Sequence, residues 1–169
     1  MLKLLILAVM VLCTAGIGRS AARQLARQAE QLDAMVKLIT EIEIKLRFQR
    51  TPLPSLLRQL SQNAQYDALG FLPYLCEAAG SPDCIHNFDH HTDIIAKYLI
   101  VRPADRRNIE SFFHELGALD LEGTLKSCDL HKNILSGSLV EARTTAKEKG
   151  RLYVSLGLLA GLSIAVFFA

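Results

Sequence analysis

The residues best equipped for chemistry crowd into one stretch, "CEAAGSPDCIHNFDHH", from Cys76 to His91. Cys76, Cys84, His86, Asp89, His90 and His91 supply soft and borderline metal ligands there, and Cys128 and His131 lie further on. A tetrahedral zinc site needs its donors in close pairs, such as C-x2–4-C with H-x3–5-H, because a short spacer lets two side chains reach one ion. Here seven residues separate Cys76 from Cys84, and His86 with His90 forms one helical-turn pair with no second pair to complete the tetrahedron. We therefore read the histidines as surface residues of a polar helix. Cys76 and Cys128 then fill core positions as small hydrophobes, with no metal and no cofactor implied.

Other reaction chemistries fare no better. "DHH" (Asp89–His91) occurs in a class of metal-dependent phosphoesterases, but those need further Asp motifs on strands of an α/β fold, and neither is offered here. "GIGRSAAR" lacks the preceding strand, the lysine and the glycine spacing of a phosphate-binding loop. There is no nucleophile elbow, and Glu30, Glu41, Glu43, Glu115 and Glu141 are scattered over helical stretches without an acid–base pair. Three domain cysteines in a reducing compartment cannot all pair. The expectation is a protein that is not an enzyme. A net charge of +2 and no run of basic residues argue against nucleic acid as a partner.

What must position these residues is a set of helices. Half of the chain is apolar while only 7% is aromatic and Trp is absent, which favours aliphatic helix packing over a β sandwich. Leu25, Leu32, Met35, Ile39, Ile42 and Leu46 recur at steps of three, four and seven, one helical stripe with no Gly or Pro between Gly18 and Thr51. Thr51 then caps, and Pro52 opens, a short amphipathic helix through Leu53, Leu56, Leu57 and Leu60. "LGFLPYLCEAAGSPD" reads as a further helix ended by Gly80 and the Ser81–Pro82 turn, and Ile85–Tyr98 as a polar helical segment. "RPADRRNIESFFHELG" puts Ile109, Phe112, Phe113 and Leu116 on one face with Gly117 as its stop. From Asp120 a last helix carries Leu121, Leu125, Cys128, Leu135, Leu139, Ala142 and Ala146, with "SGS" (Ser136–Ser138) as its weak point. Nothing alternates with period two, so the fold class is all-α.

The two ends are the most apolar parts: "MLKLLILAVMVLCTAGIG" (1–18) and "RLYVSLGLLAGLSIAVFFA" (151–169). At ~1.5 Å per residue an 18-residue helix covers roughly 27 Å, close to the ~30 Å hydrocarbon core of a bilayer. Lys3, near the end, can snorkel. A cleaved secretory signal is the competing reading of the N-terminus, with Thr14, Ala15 and Gly16 as its small residues. Charge weighs against it. Arg19, Arg23 and Arg27 follow the first segment and Arg143, Lys147, Lys149 and Arg151 precede the second, which puts both flanks in the cytoplasm. The organisation expected is a membrane hairpin: a transmembrane helix at 1–18, a cytoplasmic all-α domain at 19–150, and a transmembrane helix at 151–169. The first and last helices of the domain continue into the spans. Within the second span Gly157 and Gly161 form G-x-x-x-G, a spacing that lets another helix backbone approach closely. Ala8, Ala15, Gly16 and Gly18 are candidate counterparts, and a second copy of the chain is an alternative partner.

The arrangement and several motifs together resemble the stage III sporulation protein AB family of endospore-forming bacteria. The N-terminal match runs through Gly18, Arg27, Leu32, Leu38, Glu43, Ile44, Thr51, Pro52, Leu53 and Pro54. "FFHELGALD" (Phe112–Asp120) is similar to the family's F-x-x-x-L-G-x-x-D. "EKGRLYVSLGLLAGL" is similar to its charged helix running into Y-x-S-L-G-x-L-x-G. The segment from about Asn63 to Val101 departs from the pattern. The resemblance implies a multi-pass protein of the mother-cell membrane whose cytoplasmic domain is like those of type II secretion F platform proteins. It implies a scaffold of the channel complex linking mother cell and forespore, required for sporulation. Its partners would be the membrane, other stage III sporulation proteins of that complex, and the ATPase stage III sporulation protein AA. The family carries over no catalytic residues. The alternative is an exported metal- or redox-sensing domain with a C-terminal membrane anchor, which requires a cleaved N-terminus and oxidised cysteines.

Overall fold

With no glycine or proline between Gly18 and Thr51 to break it, the first helix, α1, runs from Leu2 to Gln49 in the computed structural model. The structure describes residues 2–49, 52–79 and 94–168. After α1 come α2 (Leu53–Ser61), a 3-10 turn (Ala64–Tyr66), α3 (Leu72–Ala79), helical residues 94–98, α4 (Pro103–Ala118) and α5 (Leu121–Phe168). No strand occurs among the described residues, so the all-α expectation holds. The chain divides into two compact units, one of residues 1–29 with 140–169 and one of residues 30–139. The junctions expected at 18/19 and 150/151 both fall inside the first of these.

The unit of residues 30–139 is a helical bundle built around the α1 stripe. Leu32, Met35, Ile39 and Ile42 are fully buried, and Leu38, which the stripe omitted, is buried with them. Leu56, Leu57 and Leu60 of α2 and Ile109, Phe112, Phe113 and Leu116 of α4 are buried in the same unit. Phe113 is the hub: its ring meets Phe71 edge-on at 5.6 Å and Phe112 at 5.2 Å. Each such side chain contributes ~1.5–3 kcal/mol by leaving water, which is why apolar spacing alone locates these helices.

The helix ends have local causes. Pro52 holds the extended backbone of the α2 cap, φ −57° and ψ 135°, and α2 starts one residue later than expected; the capping role of Thr51 lies outside the described residues. Pro103 opens α4, where its missing N–H costs nothing, and Asp105 in the first turn meets the positive end of the helix. Gly117 does not stop α4. The helix continues through Ala118 and ends where Leu119 turns extended, φ −94° and ψ 154°. A glycine inside a helix costs only ~1 kcal/mol, less than the packing of Leu116 and Phe113 returns. Asp120 caps α5 with its carboxylate, which accepts from the Gly123 N–H at 2.9 Å. On α5, Cys128, Leu135, Leu139 and Ala142 are buried, but Leu121 is exposed, because it sits at the first position of the helix. α5 is helical through Ser136–Ser138. The endings expected at Gly80–Pro82 and the first part of the helix expected over 85–98 lie outside the described residues; 94–98 are helical.

Among the described residues no helix is long and apolar enough to cross a membrane. The two segments assigned to spans, 1–18 and 151–169, lie partly outside those residues.

Candidate functional site

In the unit formed by residues 1–29 and 140–169, α1 and α5 lie against each other through glycines. A methyl group built on Gly157 falls 3.3 Å from Gly18 Cα and 2.9 Å from the Thr14 carbonyl oxygen. One built on Gly18 collides with the Tyr153 carbonyl and comes 3.4 Å from Gly157 Cα. One turn on, Gly150 faces Ala22 with 3.8 Å between the two Cβ positions. Contacts step from Thr14 to Ala22 on α1 while they step back from Gly157 to Gly150 on α5, so the helices are antiparallel. Only hydrogen at Cα permits this approach, and close backbone contact gives van der Waals packing in place of the side chains forgone. Gly161 is also buried. Gly16, two residues before Gly18, meets nothing within 4 Å. The side chains of Ala8 and Ala15 are outside the described residues.

The unit of residues 30–139 hides polar groups at positions that apolar spacing would fill. Gln31 is buried and ties down two connecting segments at once: its Nε2 donates to the carbonyls of Ala68 (3.1 Å) and Tyr98 (2.9 Å), and its Oε1 accepts from the Ile100 N–H (2.7 Å). Between α4 and α5 a second cluster forms. His131, 4% exposed, has Nδ1 2.6 Å from Asn108 Oδ1 and Nε2 3.3 Å from Glu115 Oε2, with the Phe112 ring 5.6 Å from its own. Ser127 donates to the same Glu115 oxygen at 2.6 Å, and Ser111 to the other at 3.2 Å. These donors, Ser127 above all, hold the Glu115 carboxyl below its ordinary range against the opposing effect of burial. At the next layer Ser138 donates to the buried Asp105 at 2.5 Å, and Arg102 Nε lies 3.0 Å from its other oxygen.

The serine, carboxylate and histidine of this cluster are not arranged for nucleophilic chemistry. Ser127 gives its proton to Glu115 rather than to the imidazole, and both Ser127 and His131 are buried. The cluster fastens α4 to α5. Nearer the end of α1, Tyr66 donates to Glu41 at 2.5 Å and Lys45 pairs with it at 3.1 Å. Burial pulls the Glu41 carboxyl up, but these two partners outweigh it and leave it below the usual range; the Tyr66 phenol is raised by burial and by that carboxylate. Lys132 is held charged by Glu43 at 2.8 Å, with Asp129 at 3.1 Å.

Among the described residues no group of three or more His, Cys, Asp or Glu side chains could hold a metal ion. Cys128 is a free thiol, buried and pushed up to about 11, chiefly by burial and then by the Glu43 charge. Cys84, His86, Asp89, His90 and His91 lie outside the described residues. Of the polar residues that organise the unit, the sequence pointed to His131 only as a distant companion of the ligand-rich stretch and did not mark Gln31 or Asp105, although each stands on a buried stripe. Gln31 precedes Met35, Leu38 and Ile42 by steps of four, three and four. Asp105 stands in the same way before Ile109, Phe112 and Leu116, and His131 lies between Cys128 and Leu135. A polar residue at such a position has to be hydrogen-bonded, and that is the signal that finds it.

A protein family described as Stage III sporulation protein AB matches residues 3–169. No curated protein and no solved structure matches the chain.

Proposed function

The chain belongs to the stage III sporulation protein AB family, and from that membership, which carries a role in sporulation, we propose that it is a membrane-anchored, non-catalytic scaffold. In this reading residues 1–18 and 151–169 cross the mother-cell membrane as an antiparallel hairpin, and the domain between them is cytoplasmic. The scaffold belongs to the channel complex between mother cell and forespore, where the domain serves as a platform like those of type II secretion F proteins. Other stage III proteins and the ATPase stage III sporulation protein AA are its partners.

The observation that carries the reading is the glycine contact of α1 with α5, at Gly18 and Gly157. Two apolar ends that pack backbone to backbone suit a bilayer, where small residues rather than greasy ones bring helices together. The basic residues Arg19, Arg23, Lys147 and Arg151 beside that contact fit the cytoplasmic edge of such a hairpin. Crosslinking in sporulating cells, followed by mass spectrometry, tests the role. Peptides of other stage III sporulation proteins, linked to residues 30–139 in the carbonate-resistant membrane fraction, are expected. Recovery of the chain in the soluble fraction without them would refute it.

A further inference from the structure

Beside the glycine crossing, the same unit contains a groove of about 620 Å³. It is lined by Ala22, Ala146, Gly150 and Val154, small or short side chains that leave space, and by Lys147, Arg151 and Ser155. Lys147 and Arg151 are one turn apart on α5 and both are exposed, so their cationic heads rise on one side of the same opening. Among the described residues neither is ion-paired. In the other unit Lys37, Lys45, Arg47, Lys126 and Lys132 each hold a carboxylate. No acidic side chain lines the groove. Immediately after Arg151 the chain turns apolar, and Val154 and Ser155 already belong to that part of the helix.

We infer that this groove binds the headgroup of an anionic phospholipid. Lys147 and Arg151 take the phosphate, Arg151 with its planar donor fork and Lys147 as a point charge. Ser155 and Val154 lie where the glycerol and the first methylenes of the lipid would leave the headgroup. The inference rests on the membrane-hairpin reading, which places Lys147 and Arg151 at headgroup depth. Unneutralised cations at the mouth of a gap between two helices are the kind of site that acidic lipids fill at the cytoplasmic face. Charge complementarity selects the lipid class: a zwitterionic headgroup brings a choline cation against the same two side chains.

The test uses the full chain purified in detergent and offered phosphatidylglycerol and phosphatidylcholine in equal amounts, with retained lipid read by native mass spectrometry. The wild type is expected to retain phosphatidylglycerol roughly tenfold over phosphatidylcholine, ~1.4 kcal/mol of preference. Lys147→Gln with Arg151→Gln should bring the two lipids near parity with helicity unchanged by circular dichroism. Lys97→Gln with Arg107→Gln, which removes the same charge elsewhere, should keep the preference. Equal retention by the wild type, preference surviving in the groove variant, or loss in the control variant would each overturn the inference. Displacement of the lipid by millimolar inorganic phosphate would overturn it too, as a site for free anions. Carbonate extraction separates this outcome from the broader reading: a chain that stays in membranes without lipid preference refutes only the groove.

Discussion

Gly18 and Gly157 pass so closely that a methyl on Gly157 would stand 3.3 Å from the Gly18 Cα, with α1 and α5 antiparallel on either side. A side chain on either residue runs into backbone carbonyl oxygen, of Tyr153 for Gly18 and of Thr14 for Gly157. Backbone cannot swing aside as a side-chain tip can, so the helices must separate.

Two glycines two residues apart should therefore respond in opposite ways. Gly18→Ala is expected to destabilise the pairing of α1 with α5 by ~1–3 kcal/mol, the cost of overpacking a close contact. Gly16→Ala, with nothing within 4 Å, should be neutral or stabilising by up to about 1 kcal/mol, since alanine is the better helix former. Thermal unfolding of the detergent-solubilised chain, followed by circular dichroism, separates the two; equal effects would mean that the contact is absent.

Gln31→Ala removes one side chain but strands three backbone groups, the carbonyls of Ala68 and Tyr98 and the N–H of Ile100. The expected cost is about 2–4 kcal/mol, more than a neutral surface substitution by far. Hydrogen exchange gives the specific readout: the Ile100 amide should exchange much faster in the variant, while the amides of Phe112 and Phe113 in α4 change only with global stability.

The Glu115 carboxyl is held below its ordinary value of 4.5 in the folded chain, first by the Ser127 hydroxyl. A depressed carboxyl contributes stability that is present above its unfolded value and lost as pH falls through the folded one. The chain should thus lose stability on acidification below about pH 4.5. Ser127→Ala is expected to cost about 1–2 kcal/mol at neutral pH and to make that acid-side loss shallower. Denaturant midpoints measured between neutral and acid pH check both; an unchanged slope would remove Ser127 as the cause.

Cys128, buried and with its thiol raised to about 11, should resist alkylation at pH 8 in the folded chain, since the thiolate is the reacting species. Peptide mapping after N-ethylmaleimide should find it labelled only when denaturant is present. Labelling in the native chain at the rate of an exposed thiol would contradict the packing of α5.

The long apolar stripes made most of the fold legible in advance. Leu32, Met35, Ile39 and Ile42, and again Ile109, Phe112, Phe113 and Leu116, are buried as their spacing dictates, because burial follows period 3.6 directly. Gly117 misled, since a glycine marks a helix end only where backbone geometry needs it, and α4 ends two residues later at Leu119. The approach of Gly18 to Gly157 joins residues far apart in the chain, so small-residue spacing offered Gly16 and Gly18 alike, and only the family motif set Gly18 apart. The polar interior escaped for a different reason. Asp105, Gln31 and His131 look like interruptions of an apolar stripe until their partners on other elements are known.

The central claim is the antiparallel pairing of α1 with α5 in one chain, and Ala22 with Gly150 offers its most direct measurement. Their Cβ positions are 3.8 Å apart, the mean separation across a disulfide. In a chain with Cys13, Cys76, Cys84 and Cys128 replaced by Ala or Ser, Ala22→Cys with Gly150→Cys should crosslink within a single chain when cell membranes are oxidised. The account predicts a monomeric, faster-migrating band that reductant reverses, with Gly16→Cys and Gly137→Cys giving none. No crosslink, or crosslinks only between two copies, would contradict it.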